Sequence, residues 1–512
     1  MAMLTVTPPR TTSAPNWFLR AFGRNKITNT SPSKTSLSSL CEEILKKSQA
    51  AFLSGKTKPY QFRIKQLESV VQMLENNESQ FLKALQHDLH KPKFEALLSE
   101  IAVIKNEAIY AANNLEEWME PEYVEKTLST ALDECYVLKE PLGVVLVIGH
   151  WSFPLQLCLI PFIGAVSAGN CVVVRPSETA SNTAELLQNL LPKYLDNECY
   201  HVIYGGHKDA QNDLSDLLQH KFDHVFYTGD ATTGKLVMQA ATKFLTPVTL
   251  VLAGKNPCYI DRNCDIYMAA RRIAWARFVN AGQNLLAPDY VLCHADVHDK
   301  LLKELYTCVT EFYGEAPEKS PDFGRLVSIE HYQKLKELLG CGKLFIGGKS
   351  DEGIKYIAPT ILLDVKENDP IMEKDIFGPV LPIIKVCALE EAINIIRKRE
   401  KPLAVYVYSS NFKVISEVMS RTSSGCFCSN DSGMQNMFLT LPFGGVGGSG
   451  MGCCHGKYGF DTFSHRRACI LRNIGIECVT YLRYPPYVDK NLSLILWASS
   501  LSRRSSGWCQ IS

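Results

Sequence analysis

Three continuous apolar runs, each closed by a glycine or a proline, restrict the architectures open to this chain more than any other feature. The run at 142–149 is Leu142-Gly143-Val144-Val145-Leu146-Val147-Ile148-Gly149. The second is Asn170-Cys171-Val172-Val173-Val174-Arg175-Pro176, and the third is His224-Val225-Phe226-Tyr227-Thr228-Gly229. None of the three alternates polar with apolar residues, so each reads as a strand buried on both faces. Segments of helical period lie between them. A strand–helix–strand series at this spacing predicts the α/β class with a doubly wound parallel sheet. A second α/β region is expected to follow, with strands at 249–252, 290–293 and 404–408. Ahead of the first strand, Leu40, Ile44, Leu45, Phe62, Ile64, Leu67, Val70, Val71 and Leu74 recur at helical spacing among Lys, Glu and Gln, which predicts amphipathic helices.

The chain has 512 residues, enough for two or three domains with a large core. A net charge of +1 gives no electrostatic reason to expect nucleic acid as a partner. The 18 cysteines show neither paired CxxC motifs nor a CxxC…HxxxH spacing, so no metal site is expected. They read instead as small core hydrophobes of a reduced intracellular protein. No apolar run reaches the roughly 18 to 20 residues that span a bilayer. The runs at 144–148 and 492–497 suit a buried strand and a short amphipathic segment. Residues 1–36 carry Arg10, Arg20, Arg24, Lys26 and Lys34 with no acidic residue and many Ser, Thr and Pro. They read as a disordered basic tail, with a transit peptide or a membrane-surface segment around Trp17 as alternatives.

Gly229-Asp230-Ala231-Thr232-Thr233-Gly234-Lys235 follows a strand and opens a helix. It matches the first part of a P-loop, but Leu236 stands where the Mg²⁺-binding hydroxyl belongs, which argues against an NTPase. A glycine-rich strand-to-helix turn suits a nucleotide phosphate, because free N–H groups meet a helix N-terminus there. The Asp230 carboxylate opposes that use.

The order of further motifs is more specific. The run from Pro141 to Gly149 is followed by Arg175-Pro176-Ser177-Glu178, Gly254-Lys255-Asn256-Pro257, Asn280-Ala281-Gly282-Gln283, Ile376-Phe377-Gly378-Pro379-Val380 and Pro442-Phe443-Gly444-Gly445-Val446-Gly447. From about residue 37 to the C-terminus the chain resembles the aldehyde dehydrogenase superfamily. Phe463-Ser464-His465-Arg466-Arg467 and Arg483-Tyr484-Pro485-Pro486 resemble its class 3 branch, and the B-type members most. The resemblance implies an α/β aldehyde dehydrogenase fold in three parts. These are a Rossmann-like cofactor domain (37–118 and 144–250), an α/β catalytic domain (251–438), and a small oligomerisation arm with the C-terminal segment (119–143 and 439–485). It also implies a dimer, NAD or NADP as cofactor, and oxidation of medium- and long-chain aldehydes to carboxylic acids. In such an enzyme a cysteine thiolate attacks the carbonyl, an amide and a backbone N–H hold the oxyanion, and a glutamate activates water.

Carried onto this sequence, those roles fall on unsuitable side chains. The nucleophile position is Leu285, which cannot form a thiohemiacetal, and the general-base position is Val251, which cannot accept a proton. The oxyanion asparagine is replaced by Ser152, whose shorter side chain is expected further from the oxygen. Loss of one such donor alone costs about 100- to 1000-fold. Among the cofactor contacts, the family's ribose-binding lysine corresponds to Arg175, and its loop serine to Asp230, between Gly229 and Gly234. The nicotinamide-ribose glutamate corresponds to Asp375, beside a retained Phe377. Weakened NAD(P) binding is expected. Cys426 and Cys428, in a segment that lines the family's substrate tunnel, are the candidate substitute nucleophiles. The stretch 206–222 is about four residues longer than usual and reads as a surface-loop insertion.

The chain ends Cys509-Gln510-Ile511-Ser512, which fits a CaaX box whose terminal Ser favours a farnesyl group on Cys509. Arg503, Arg504 and the apolar Leu494, Ile495, Leu496 and Trp497 lie upstream, so 486–512 reads as a membrane-anchoring tail. The expectation is a pseudoenzyme on a cytoplasmic membrane surface (plasma membrane or lipid droplet), dimerising with itself or with an active class 3 relative. The alternative is an NAD(P)-dependent oxidoreductase acting on lipid aldehydes through an unusual nucleophile. A fatty-aldehyde or fatty-acid binding module also fits the sequence.

Overall fold

A computed structural model describes residues 37–126, 130–205, 210–472 and 474–500. The basic tail 1–36 and the segment carrying Arg503, Arg504 and Cys509 lie outside the described residues. The three glycine- or proline-closed runs form strands Val144–Ile148, Cys171–Arg175 and His224–Gly229, buried throughout. They belong to one sheet, ordered Gly450–Met451, Val248–Leu252, His224–Gly229, Val144–Ile148, Cys171–Arg175, Tyr200–Val202. All its pairings are parallel except that of the short strand Gly450–Met451. The strand expected at 249–252 therefore closes this first sheet and does not open the second α/β region. Its register explains why: Thr228 faces Val251 and Gly229 faces Leu252, so the apolar run pairs with the strand already in place.

Chain order reverses beside Val144–Ile148, which pairs with Cys171–Arg175 on one side and His224–Gly229 on the other. A doubly wound sheet binds its ligand at such a reversal, outside the carboxyl ends of the strands. Those ends lead directly into His150, Trp151 and Asp230.

The second sheet runs Lys343–Ile346, Thr360–Leu363, Val380–Val386, Tyr290–His294, Pro257–Ile260, Ala404–Tyr408, Cys426–Ser429. A third sheet joins Glu122–Tyr123, Glu134–Pro141 and Ser464–Leu471, the last two antiparallel over eight residue pairs. Asn170 ties this sheet to the first: its Oδ1 accepts from the Gly143 N–H at 2.9 Å and its Nδ2 donates to the Phe463 carbonyl at 2.9 Å. Gly143 lies at φ +144°, and a Cβ there would fall 2.0 Å from the Asp223 carboxylate that receives the Val144 N–H. No side chain fits at 143.

The stretch read as a surface-loop insertion holds a helix, Ala210–Leu217, although 206–209 lie outside the described residues. Leu217 is buried, and Leu214 and Leu218 pack against the main core, which gives the extra residues a folded role. At the other end, the helix Asp489–Ser499 exposes Leu492, Leu494, Leu496 and Trp497 by about half or more. Among the described residues no helix is long and apolar enough to cross a membrane.

The ligand end of the first sheet is pinned by an ion pair wholly removed from solvent, Lys91 Nζ to Glu100 Oε1 at 2.6 Å. The other oxygen of Glu100 accepts the N–H groups of Leu155 and Gln156 at 3.0 and 2.9 Å. Those are free donors at the start of helix Gln156–Ala168. Glu100 lies in a single wide turn, Leu97–Ala102, set into a longer helix, a feature common at functional sites. Replacing Glu100 by Leu would strand the Lys91 charge and two N–H groups. We expect a loss of about 3 to 5 kcal/mol, read from the midpoint of denaturant unfolding.

Candidate active site

Leu285 follows a turn that few sequences adopt. Asn280, Ala281 and Gly282 all have positive φ, at 54°, 52° and 73°. Only glycine occupies this region without strain, and a non-glycine residue there costs roughly 1 to 2 kcal/mol. The turn persists because its neighbours bind it from every side. The Asn280 N–H donates to Glu95 Oε2 at 2.9 Å, and the Asn280 amide donates to the Ser152 carbonyl at 2.8 Å. Gln283 donates to the carbonyls of Asn280 and Arg325, both at 3.0 Å, and accepts the Val327 N–H at 2.9 Å. A Cβ on Gly282 would meet the Gly378 carbonyl at 2.2 Å, so this turn and the Phe377-Gly378 turn press together. Arg277, fully buried, donates its Nε to that same carbonyl at 3.1 Å and its Nη1 to the Pro288 carbonyl at 3.0 Å. Asn256 then donates to the Leu285 carbonyl at 2.8 Å. Position 285 is thus aimed by a strained, densely bonded frame in which the buried Asn280 Oδ1 alone lacks a partner among the atoms named, yet it carries an isobutyl group buried in the main core.

Val251 is equally buried, opposite Gly450 and Thr228 in the sheet. Ser152 is fully buried, and its hydroxyl turns back to His150 Nδ1 at 2.9 Å. Its carbonyl also receives Lys91 Nζ at 3.4 Å. The hydroxyl is therefore engaged locally as well as short.

Two openings lie near these residues in the chain, lined by their sequence neighbours. One is a narrow tunnel with a cavity volume near 60 Å³, lined by Phe94, Glu95, Phe153, Trp275, Asn284 and Met437 among others. Burial pushes the Glu95 carboxyl up to about 7, with the Asn280 N–H and Lys91 opposing. The second is a cleft of about 510 Å³ lined by His150, Trp151, Asp230, His331, Asp375 and Phe377. The Trp151 ring lies 5.9 Å from Phe377 and 5.3 Å from His331, and the His331 ring pairs with the Phe377 carbonyl at 2.6 Å. Burial lowers His150 to about 3 and His331 to about 4, so both imidazoles are neutral. Burial first, then the Asp289 charge, lifts Asp375 to about 6.

Of the positions expected from sequence, Asp230, Asp375 and Phe377 share this cleft, whereas Leu285, Val251 and Ser152 line neither opening. Cys426 and Cys428 form part of the strand Cys426–Ser429 and are not lining residues either; Gly433, Asn436 and Met437, further along, are. Burial raises both thiols, Cys428 to about 11, so each is a neutral thiol near pH 7. The sequence reading had overlooked His150, His331, Glu95 and the Lys91–Glu100 pair. His150 adjoins a motif already noticed and could have been found. The others are isolated polar residues whose meaning depends on tertiary contacts.

A profile of the aldehyde dehydrogenase family matches residues 28–469. The chain belongs to the aldehyde dehydrogenase family. It is 49% identical over 457 residues to aldehyde dehydrogenase family 3 member B1 of Mus musculus, covering 89% of this chain and 97% of that protein. Family 3 member B3 of the same organism is 50% identical, with 89% and 95% covered. A solved structure described as the substrate-bound state of Staphylococcus aureus AldH superposes with a TM-score of 0.85 at 38% identity, covering 89% of this chain and 98% of that one. This is a class 3 aldehyde dehydrogenase-fold protein.

Aldehyde dehydrogenases use NAD(P), and the fit of this chain to that cofactor differs between the two ends of the cleft. At the phosphate end, Asp230 caps helix Ala231–Thr242, its Oδ1 accepting the Thr233 N–H at 2.9 Å. Tyr227 donates its hydroxyl to the other oxygen at 3.2 Å. Burial would raise this carboxyl, but these hydrogen bonds outweigh it and hold Asp230 below its ordinary value. A permanent anion thus stands at the helix terminus that would meet a pyrophosphate. Arg175 is closed onto Glu178 at 2.8 Å. Gly234 packs on Leu252 and Gly229 against the Tyr227 ring, so both turn glycines keep their close contacts. At the other end of the cleft, Trp151 and Phe377 form an aromatic wall.

The Glu95 carboxyl gives a pH test of the buried frame. Its folded pKa near 7 exceeds the ordinary 4.5, so between those values the folded state binds more protons than the unfolded one. Stability should fall as pH rises through that window. A Glu95→Gln variant, which can still accept the Asn280 N–H, should flatten this dependence in denaturant titrations from pH 4.5 to 7.

Proposed function

We propose that this protein is a pseudoenzyme of the class 3 aldehyde dehydrogenase type, anchored to a membrane surface and without aldehyde-oxidising activity. The observation that carries the reading is the pair of side chains at 285 and 251. A frame built to aim a reactive group presents leucine, and valine stands at the base position. Neither can exchange a proton or form a bond to a carbonyl carbon, and the neutral thiols of Cys426 and Cys428 lie outside the tunnel lining. Substitution of reactive polar groups by apolar ones also suits a chain no longer held to catalysis, because functional sites carry a stability cost.

We infer that NAD(P) binding is weakened at its phosphate end by the Asp230 carboxylate, while Trp151 and Phe377 keep a surface for the nicotinamide ring. Phe94, Phe153, Trp275 and Met437 give the tunnel an apolar wall, whose chemistry suits the alkyl part of a fatty aldehyde. The third sheet leaves Ser464–Leu471 at its edge, a strand open to a second copy of the chain or to an active class 3 relative. The exposed Leu492, Leu494, Leu496 and Trp497 support membrane contact. One prenyl chain binds membranes only marginally, and an apolar helix adds a second attachment.

With a medium-chain aldehyde and either cofactor, the native protein should form no NAD(P)H, whereas Leu285→Cys/Val251→Glu should turn over measurably. Turnover by the native protein would overturn the reading. In cells, Cys509→Ser should move the protein from the membrane to the soluble fraction and abolish incorporation of a farnesyl analogue. Unchanged partition would argue against the prenyl anchor.

A further inference from the structure

A third opening, of about 340 Å³, shares no lining residue with the cleft or the tunnel and lies between helix Glu78–Leu89 and the segment 320–325, with the paired Lys91 also in its wall. Lys83, His90, Lys93, Ser320 and Arg325 line it, and no carboxylate does. Two nearby acids are engaged elsewhere. Asp88 receives the N–H groups of Asn182 and Thr183 at 3.0 and 2.8 Å. Glu318 pairs with Lys349 at 2.5 Å. Asp322 is not a lining residue, and its charge reaches Glu95 and Tyr313.

None of the lining cations Lys83, Lys93 and Arg325 is in an ion pair among the described residues, although the Glu318 charge acts on Arg325 from a distance. Arg325 is held rigidly, but only by neutral carbonyls: Phe323 at 2.9 Å, Gly324 at 3.0 Å and Glu318 at 2.5 Å, with its guanidinium over the Tyr356 ring. Lys355 likewise spends its ammonium on the Val327 carbonyl at 3.0 Å. Lys83 and Lys93 are exposed and make no side-chain hydrogen bond or ion pair among the described residues. His90, fixed at φ +49° by the bond from its N–H to the Gln86 carbonyl, feels this field. Burial, then the charges of Arg325 and Lys355, depress its pKa. A fixed guanidinium flanked by mobile ammonium groups and a hydroxyl matches a phosphate group, which carries two charges and several acceptor oxygens.

We propose that this opening is a binding site for a phosphate monoester group, presented by a soluble ligand or by a lipid headgroup. It does not depend on the reading of positions 285 and 251. It is nonetheless connected to them: the Arg325 N–H donates to the Leu89 carbonyl at 2.8 Å, and the Arg325 carbonyl receives Gln283, two residues before Leu285.

The test compares the full-length protein with Lys83→Gln/Lys93→Gln, whose exposed substitutions leave the core untouched. Each is titrated calorimetrically with inorganic phosphate at constant ionic strength, and mixed with phosphatidylcholine vesicles with and without phosphatidic acid. Saturable phosphate binding, weakened about tenfold in the variant, supports the site with a soluble ligand. Preference for phosphatidic acid vesicles that the variant loses, without saturable phosphate binding, supports it with a headgroup. Absence of both, or a variant indistinguishable from the native protein in both assays, overturns the proposal.

Discussion

Two charges taken wholly out of water organise this active site. An ion pair such as Lys91–Glu100 contributes little net stability unless every remaining donor and acceptor is satisfied. Here the requirement is met by the site itself. Glu100 takes the first N–H groups of helix Gln156–Ala168, and Lys91 takes the Ser152 carbonyl and lies 4.1 Å over the Phe153 ring. The loop from His150 to Leu155 is thus held at Ser152 and at Leu155. The Ser152 carbonyl then receives Asn280, and Asn280 and Gln283 lock the left-handed turn before Leu285. Each link is a buried polar group that would be costly to leave unpaired, so the frame is held together as one network.

The geometry of this frame is independent of the chemistry of the side chains at 285 and 251. The frame is stabilised by backbone carbonyls, amides and buried charged groups such as Lys91, Glu100 and Arg277, none of which bonds to the side chain at 285 or 251. Leucine and valine at those positions add apolar contacts to the core around them. In the cleft, Asp230 supplies from within the chain an acceptor for a helix N-terminus.

The sequence carried most of the fold, and for a definite reason. Strands buried on both faces must be apolar throughout, so the runs at 142–149, 170–176 and 224–229 could be read directly, as could Ala404–Tyr408. What misled was membership. Nothing local to Thr249–Leu252 says which sheet it joins, because that is decided by its register with His224–Gly229. The helix Ala210–Leu217 was hidden because a polar, Asp- and Asn-rich stretch carries little periodic signal beyond Leu214 and Leu217. In the site, substituted positions were legible because ordered motifs fix their alignment. The direction of the Ser152 hydroxyl, the raised Glu95 and the cations around Arg325 arise from residues far apart in the chain, and only the folded structure brings them together.

The central claim is that no group in this protein can attack an aldehyde, and rapid mixing tests it most directly. A cysteine enzyme lacking its general base would still transfer hydride once per site before stalling, giving a burst of NADH equal to the enzyme present. The account predicts no burst when the native protein, saturated with NAD, is mixed with a medium-chain aldehyde. A burst stoichiometric with protein would contradict it, and would mean that a nucleophile other than residue 285 reaches the carbonyl.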